Sequence, residues 1–212
     1  MEKKLPPGRG DNTIASLPDL LALYPAPKER PLKKQLSALE AHSRRFIELS
    51  PFFVIATASA QGMPDASPRG GAPGFVKVLD ERTLLIPDLR GNNRLDSMRN
   101  IIENGKAGLI FIVPGVDETL RINGRAWLSR DAAHLARFSG EQNPPRLTIC
   151  VSADEVYLHC AKAFMRSRLW SADAQVPRSA LPTIGEMISR QTGMVGAVET
   201  QEQMIQRYQA DL

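Results

Sequence analysis

Cysteine is nearly absent from this sequence. The only two, Cys150 and Cys160 among 212 residues, lack C-x-x-C spacing and lie in strand-like sequence, which excludes a disulfide-stapled scaffold and fits reduced thiols in a cytosolic compartment. Long apolar runs are missing as well. The longest useful one, 107–113, falls far short of the ~20 residues that span a bilayer, so no membrane partner is expected. The opening Met1-Glu2-Lys3-Lys4-Leu5-Pro6-Pro7 runs into proline and glycine without an apolar h-region, so a secretory leader is not expected and a cytoplasmic location is. Charge of one sign is scarce: 27 basic against 23 acidic residues leave a net of +4, too little to imply a nucleic-acid partner. The three histidines, His42, His134 and His159, share no ligand spacing, so no metal site is expected. His159 and Cys160 are adjacent in a strand and point to opposite faces, which argues against a Cys-His nucleophile. With no G-x-S-x-G, Walker A or G-x-G-x-x-G pattern, triad hydrolases, P-loop NTPases and Rossmann enzymes have no support.

The composition that remains is 42% hydrophobic, with 15 glycines and 16 prolines. That suffices for a core and favours many short turns over a plain helical bundle. We expect a single domain over 1–212, with a helical arm at 1–50, a β core at 51–172 and a helical extension at 173–212. In the arm, Leu17, Leu20, Leu21 and Tyr24 form one helical stripe, and Leu32, Leu36, Leu39, Ser43, Phe46 and Ile47 a second. The period then changes. Residues 52–58 read as a strand covered on both faces, 61–64 as a turn, and 75–79 with 83–86 as a hairpin through Asp80-Glu81-Arg82. Asn92 can cap a helix carrying Leu95, Met98, Ile101 and Ile102, closed by Asn104-Gly105. Residues 106–113 are another strand, 119–128 a strand bulged at Gly124, Asp131 caps a short helix to Phe138, and 147–159 supply one or two strands. In the extension, Thr183-Ile184-Gly185-Glu186 matches a capping box, and Met187, Ile188, Met194, Met204, Ile205 and Tyr208 supply apolar faces. Six or so strands with one helix inserted between them argue for a small closed β-barrel in an α+β fold.

Two segments combine glycine with cations. In 65–77, Arg69 and Lys77 flank a glycine-rich turn where the backbone can approach a ligand and a guanidinium fork can meet phosphate oxygens. The same stretch also suits a solvated hairpin. In 87–97 a strand leads to a helix N-terminus, where Arg94 in the first turn is disfavoured by the helix dipole unless an anion sits before it. Asn92, Asn93 and Ser97 stand nearby as cap or ligand, and a plain capped helix with a solvated Arg94 suits the stretch equally. A third stretch, 161–170, brings Lys162, Arg166 and Arg168 to Trp170, a wall for an anionic aromatic ligand or an ordinary basic surface helix.

Ser67-Pro68-Arg69-Gly70-Gly71, Pro73-Gly74-Phe75-Val76-Lys77, Gly91-Asn92-Asn93-Arg94-Leu95-Asp96-Ser97 and Glu118-Thr119-Leu120-Arg121-Ile122-Asn123-Gly124-Arg125-Ala126, in that order, resemble the flavin-binding split-barrel proteins related to pyridoxamine 5′-phosphate oxidase. The likeness runs over about 30–172 and is closest to the subgroup described as probable FMN-dependent enzymes. It implies a six-stranded FMN-binding split barrel, a homodimer, and FMN at the subunit interface. Carried over position by position, the cofactor-binding residues are Arg69, Phe75, Val76, Lys77, Ile86, Pro87, Asn93, Arg94, Ser97 and Thr119. Lys162, Arg168 and Trp170 are weaker transfers. The implied function is an FMN-dependent oxidoreductase acting on a small-molecule substrate, with NAD(P)H or oxygen as redox partner. The alternative within the same fold is a non-catalytic flavin- or haem-binding carrier or sensor. The oxidase's Arg-Leu-x-Pro-type tail is replaced here by Gln209-Ala210-Asp211-Leu212, so the resemblance does not extend to vitamin B6 oxidation. No residue is assigned as catalytic acid or base.

Overall fold

The computed structural model describes residues 12–193 and 199–209. Met194, expected on the helical face of the extension, and the terminal Ala210, Asp211 and Leu212 lie outside the described residues. The chain divides after Gln35 into two units. The first contains α1 (Leu17–Ala22), whose N-terminus is capped by the Ser16 hydroxyl accepting from the Asp19 N–H, and α2 (Glu29–Lys33). The stripe of Leu17, Leu20, Leu21 and Tyr24 is exposed.

The second unit begins at Leu36, and here the expected long helix over Leu32 to Ile47 does not form. Leu36 instead makes an isolated bridge with Val156, exchanging N–H···O bonds of 2.9 and 2.8 Å, and Leu39 is buried with its N–H on the Glu81 carbonyl. A new helix, α3 (Ala41–Leu49), starts where the Glu40 carboxylate accepts from the His42 and Ser43 N–H groups. The apolar spacing could not separate these outcomes, because Leu39 and Ile47 are buried in both.

Seven antiparallel strands follow: β1 (Phe52–Ala58), β2 (Pro64–Gly70), β3 (Lys77–Val78), β4 (Thr83–Pro87), β5 (Lys106–Ile112), β6 (Thr119–Ser129) and β7 (Thr148–His159). Their order is β2-β1-β5-β6-β7-β4-β3, so the count is seven rather than six. No ladder among the described residues joins the edge strands β2 and β3, so backbone hydrogen bonds do not close the sheet between them. The physical reason lies at those edges. β3 has two residues, and β2 carries Pro64 and Pro68, which have no N–H to offer a further strand. β2 itself was hidden as a turn for the same reason, since proline and glycine signal loops everywhere except at a sheet edge.

The core lies on one face of the sheet. Phe53, Ile55, Leu109, Phe111, Leu120, Ile122, Ile149 and Val151 are buried at alternate strand positions, and Phe53 stacks on Phe111 at 4.9 Å and on Phe75 at 5.7 Å. Helix α4 (Asp96–Asn104) lies between β4 and β5 in the chain and buries Ser97, Met98 and Ile101. It begins at Asp96 rather than after Asn92, with Leu95 as N-cap in the left-handed region (φ 62°), and ends at Gly105 as its sequence predicts. A short helix, α5 (Ala132–Ala136), is capped by Asp131, and just beyond it Phe138 packs with Leu85 and Cys150 on the opposite face. Three more helices follow: α6 (Lys162–Ser167), α7 (Ile184–Thr192) with its Thr183–Glu186 capping box, and α8 (Gln201–Gln209), which buries Met204. Among the described residues no helix is long and apolar enough to cross a membrane.

Candidate functional site

Alternation along β2 fixes the first part of the site. Asp65, Ser67 and Arg69 pair with Thr57, Ile55 and Phe53 of β1, and because Ile55 and Phe53 point into the core, all three β2 side chains share that inward face. Arg69 is half-buried, and its Nε is buried with no hydrogen-bond partner. An orphaned buried donor costs about 1–3 kcal/mol, so this atom is suited to an acceptor that the chain itself does not provide. Beside it, at the end of β4, burial pushes the Asp88 carboxyl up, against the opposing pull of Arg69 and Arg146. Gly71 is needed where the chain leaves β2: a Cβ there would stand 2.8 Å from Phe75 Cγ.

The second part is the loop entering α4. Asn93 (φ 58°) and Leu95 (φ 62°) are both left-handed, an arrangement rare for a residue such as leucine and one that concentrates at ligand sites. Between them Arg94 donates its backbone N–H to Asn92 Oδ1 (3.1 Å), and its exposed guanidinium reaches Asp96 at 2.8 Å. Arg94 therefore precedes the helix rather than lying in its first turn, and the anion in front of it is Asp96. An ion pair this exposed contributes about 0–1 kcal/mol, so the guanidinium can exchange partners at little cost. One turn on, the Ser97 hydroxyl is buried and donates to Asp65 Oδ2 at 2.8 Å.

The remaining sequence-predicted residues separate. Phe75, Val76 and Ile86 are packed in the core, and Pro87 and Thr119 are also buried, so these five offer a ligand backbone and shape rather than exposed side-chain atoms. Lys77 lies opposite Leu85 and turns to the other face of the sheet, where its ammonium donates to the Gly74 carbonyl (3.0 Å), pairs with Glu141 (3.4 Å) and sits 5.7 Å from the centre of the Phe138 ring. There it lines a groove of about 550 Å³ with Arg44, Glu48, Val76, Val78 and Arg137. In the third cationic stretch, Arg168 is held by Asp173 (2.7 Å), while Trp170 stacks on Phe164 and donates to the Val116 carbonyl (3.1 Å). Lys162 opens α6.

Sequence reasoning missed Asp65, Asp88 and Arg121. Asp65 became visible only once β2 was a strand with a two-residue period. Arg121 lies over the Tyr157 ring at 5.2 Å and also has a buried Nε without a hydrogen-bond partner.

The family model described as pyridoxamine 5′-phosphate oxidase matches residues 39–160. The architecture, an α+β fold with a seven-stranded antiparallel sheet and several helices, matches the split barrels of that family. Among solved structures, HupZ from Group A Streptococcus is similar at 17% identity and a TM-score of 0.48, over 57% of this chain and 93% of that one. The FAD binding protein from Mycobacterium smegmatis is similar at 16% identity and 0.41, over 58% and 97%. HutZ, the haem storage protein from Vibrio cholerae, is similar at 16% and 0.39, over 57% and 93%. No curated protein matches the sequence.

Proposed function

Because the chain belongs to the pyridoxamine 5′-phosphate oxidase family, we propose that it is an FMN-dependent oxidoreductase acting on a small molecule, with the flavin phosphate held by Arg69 and Arg94. The observation that carries this reading is the buried Arg69 Nε without an acceptor. A phosphate oxygen supplies one, and a charge-assisted bond of that kind contributes about 1.5–3 kcal/mol. The left-handed Asn93 and Leu95 that flank Arg94 support it, because such backbone conformations cluster at ligand sites. When bound, FMN supplies two-electron redox chemistry. The protein's own residues bind and orient: Arg69 and Arg94 fix the charged end, and the backbone around Phe75, Val76, Ile86 and Pro87 shapes the wall. NAD(P)H or oxygen is the proposed redox partner, the homodimer the proposed assembly, and the cytoplasm the proposed location.

Fluorescence titration with FMN and riboflavin tests the binding step. FMN is expected to bind at one per chain and much more tightly than riboflavin, and Arg69→Ala to lose about 1.5–3 kcal/mol of FMN affinity while leaving riboflavin nearly unaffected. Equal affinity for the two flavins, or a haem spectrum in the purified protein, overturns the assignment. Bleaching of the flavin on anaerobic mixing with a nicotinamide donor is the expected mark of catalysis.

A further inference from the structure

The charges that line the groove of about 550 Å³ beside Lys77 do not balance. Three cations reach it, Arg44 from α3, Lys77 from β3 and Arg137 from the end of α5, together with Glu48 from α3 and the apolar Val76 and Val78. Val76, Lys77 and Val78 are consecutive, and neighbouring residues of an extended chain point to opposite faces, so a groove touched by all three runs along the outer edge of the sheet, where no further strand pairs. Two carboxylates stand at hand, and both are engaged: Glu48 pairs with Arg45 at 3.1 Å and Glu141 with Lys77 at 3.4 Å. Among the described residues neither Arg44 nor Arg137 forms an ion pair. Arg44 is half-buried and fixed in place by neutral groups, its Nε donating to the Leu39 carbonyl at 3.4 Å and its Nη2 to the Asp80 carbonyl at 3.0 Å. The carboxylate of Asp80 is taken up by the Arg82 and Thr83 N–H groups. A guanidinium carries five N–H donors, so Arg44 keeps donors for a ligand after making both bonds.

We propose that this groove is a second anion site, separate from Arg69, which binds a small organic dianion between Arg44 and Arg137 with its carbon body against Val76 and Val78. Two cations without a carboxylate call for two negative charges, and a guanidinium meets a carboxylate or a phosphate through paired N–H···O bonds. The volume suits a small molecule. Because the two carbonyls already hold Arg44 in position, little side-chain freedom is lost there on binding. The site does not rest on the flavin reading, since Lys77 and the groove beside it turn away from the inward face that carries Arg69.

Isothermal titration calorimetry of the full chain at low ionic strength with succinate, phenyl phosphate and the monoanion butyrate tests the site. The expected result is one dianion bound per chain, about tenfold or more tighter than butyrate, and weakening as salt is raised. Whichever of succinate and phenyl phosphate binds more tightly identifies the charged group as carboxylate or phosphate. Arg137 is exposed, so Arg137→Ala is expected to keep the unfolding temperature and to lose about tenfold or more in dianion affinity. Arg44→Ala is expected to lose as much, and should it fail to fold because Arg44 ties α3 to the turn after β3, Arg137→Ala carries the test. Arg125→Ala, which removes an exposed arginine paired with Asp154 at 3.6 Å outside the groove, is expected to leave the affinity unchanged. Saturating FMN is expected to leave it unchanged as well. Dianions that bind no better than butyrate, an Arg137→Ala protein of unaltered affinity, or an equal loss in Arg125→Ala overturns the proposal. Competition between FMN and the dianion would make the groove part of the flavin site and overturns its separateness.

Discussion

Asp80 shows how one carboxylate can fix a turn. Its Oδ1 accepts from the Arg82 and Thr83 N–H groups, both at 2.8 Å, closing the connection between β3 and β4. The Arg82 N–H holds the carboxyl below the ordinary aspartate range; burial opposes this, and Thr83 and the nearby Arg44 reinforce it. Because the folded value is depressed, the stabilisation is present above the unfolded value near 4 and is lost as the pH falls through the folded one. Asp80→Ala is therefore expected to cost about 1 kcal/mol at neutral pH, a figure kept low by the exposure of the side chain. The difference from wild type in urea unfolding should shrink below about pH 4. A constant difference from pH 7 to pH 3 would assign the effect to something other than this carboxylate. The hairpin was legible in the residues, since Asp80-Glu81-Arg82 follows an apolar run and precedes another. The charge neighbourhood of Arg69 and Asp88 was not, because their meeting depends on how β2 and the end of β4 are brought together across the fold.

Among the elements, β6 gives the sharpest test of local reasoning. Its pairing with β7 shifts register between Asn123 and Gly124, the bulge its glycine predicts. A Cβ on Gly124 would lie 2.0 Å from the Ser152 carbonyl oxygen, a backbone atom that cannot rotate away. Gly124→Ala is expected to destabilise the fold by about 3 kcal/mol, read as a drop in the urea midpoint at unchanged m-value. A loss below about 0.5 kcal/mol would mean that the two strands separate there freely. β1, β4, β5 and β7 were readable from their β-branched and apolar runs, and the α7 capping box from four residues. β2 and the break between α2 and α3 were not. In both places the deciding interaction is with a strand remote in sequence: β1 pairs with β2 along its whole length, and Val156 takes the backbone of Leu36 out of the helix.

For the whole molecule, the proposed homodimer must bury apolar surface that one chain leaves open. Of the apolar helical faces read in the sequence, Leu39 and Met204 are buried within the chain, while Leu32, Leu36, Ile205 and Tyr208 remain exposed. On the strands, Ile110, Trp127 and Leu158 are exposed as well, each at about 40%. If FMN binds only the folded assembly, it should raise stability by about 2.7 kcal/mol at a hundredfold excess over its dissociation constant. Sedimentation equilibrium at sub-micromolar concentration is expected to find a dimer, and thermal unfolding a higher midpoint with FMN than without. A folded monomer near 23.3 kDa that retains one FMN would contradict both.

The sequence by itself determined the strands of the core other than β2, the closure of α4 at Gly105, and the family resemblance that the match over 39–160 bears out. These are properties of periodicity and turn chemistry, which act over a few residues. The tertiary structure alone decided that Lys77 faces Glu141 across the sheet from Arg69, that Arg94 precedes α4 and pairs with Asp96, and that Ser97 donates to Asp65. Each of these depends on which face of a strand a side chain takes or on where a helix starts. A shift of one residue reverses the first, and a left-handed Leu95 sets the second.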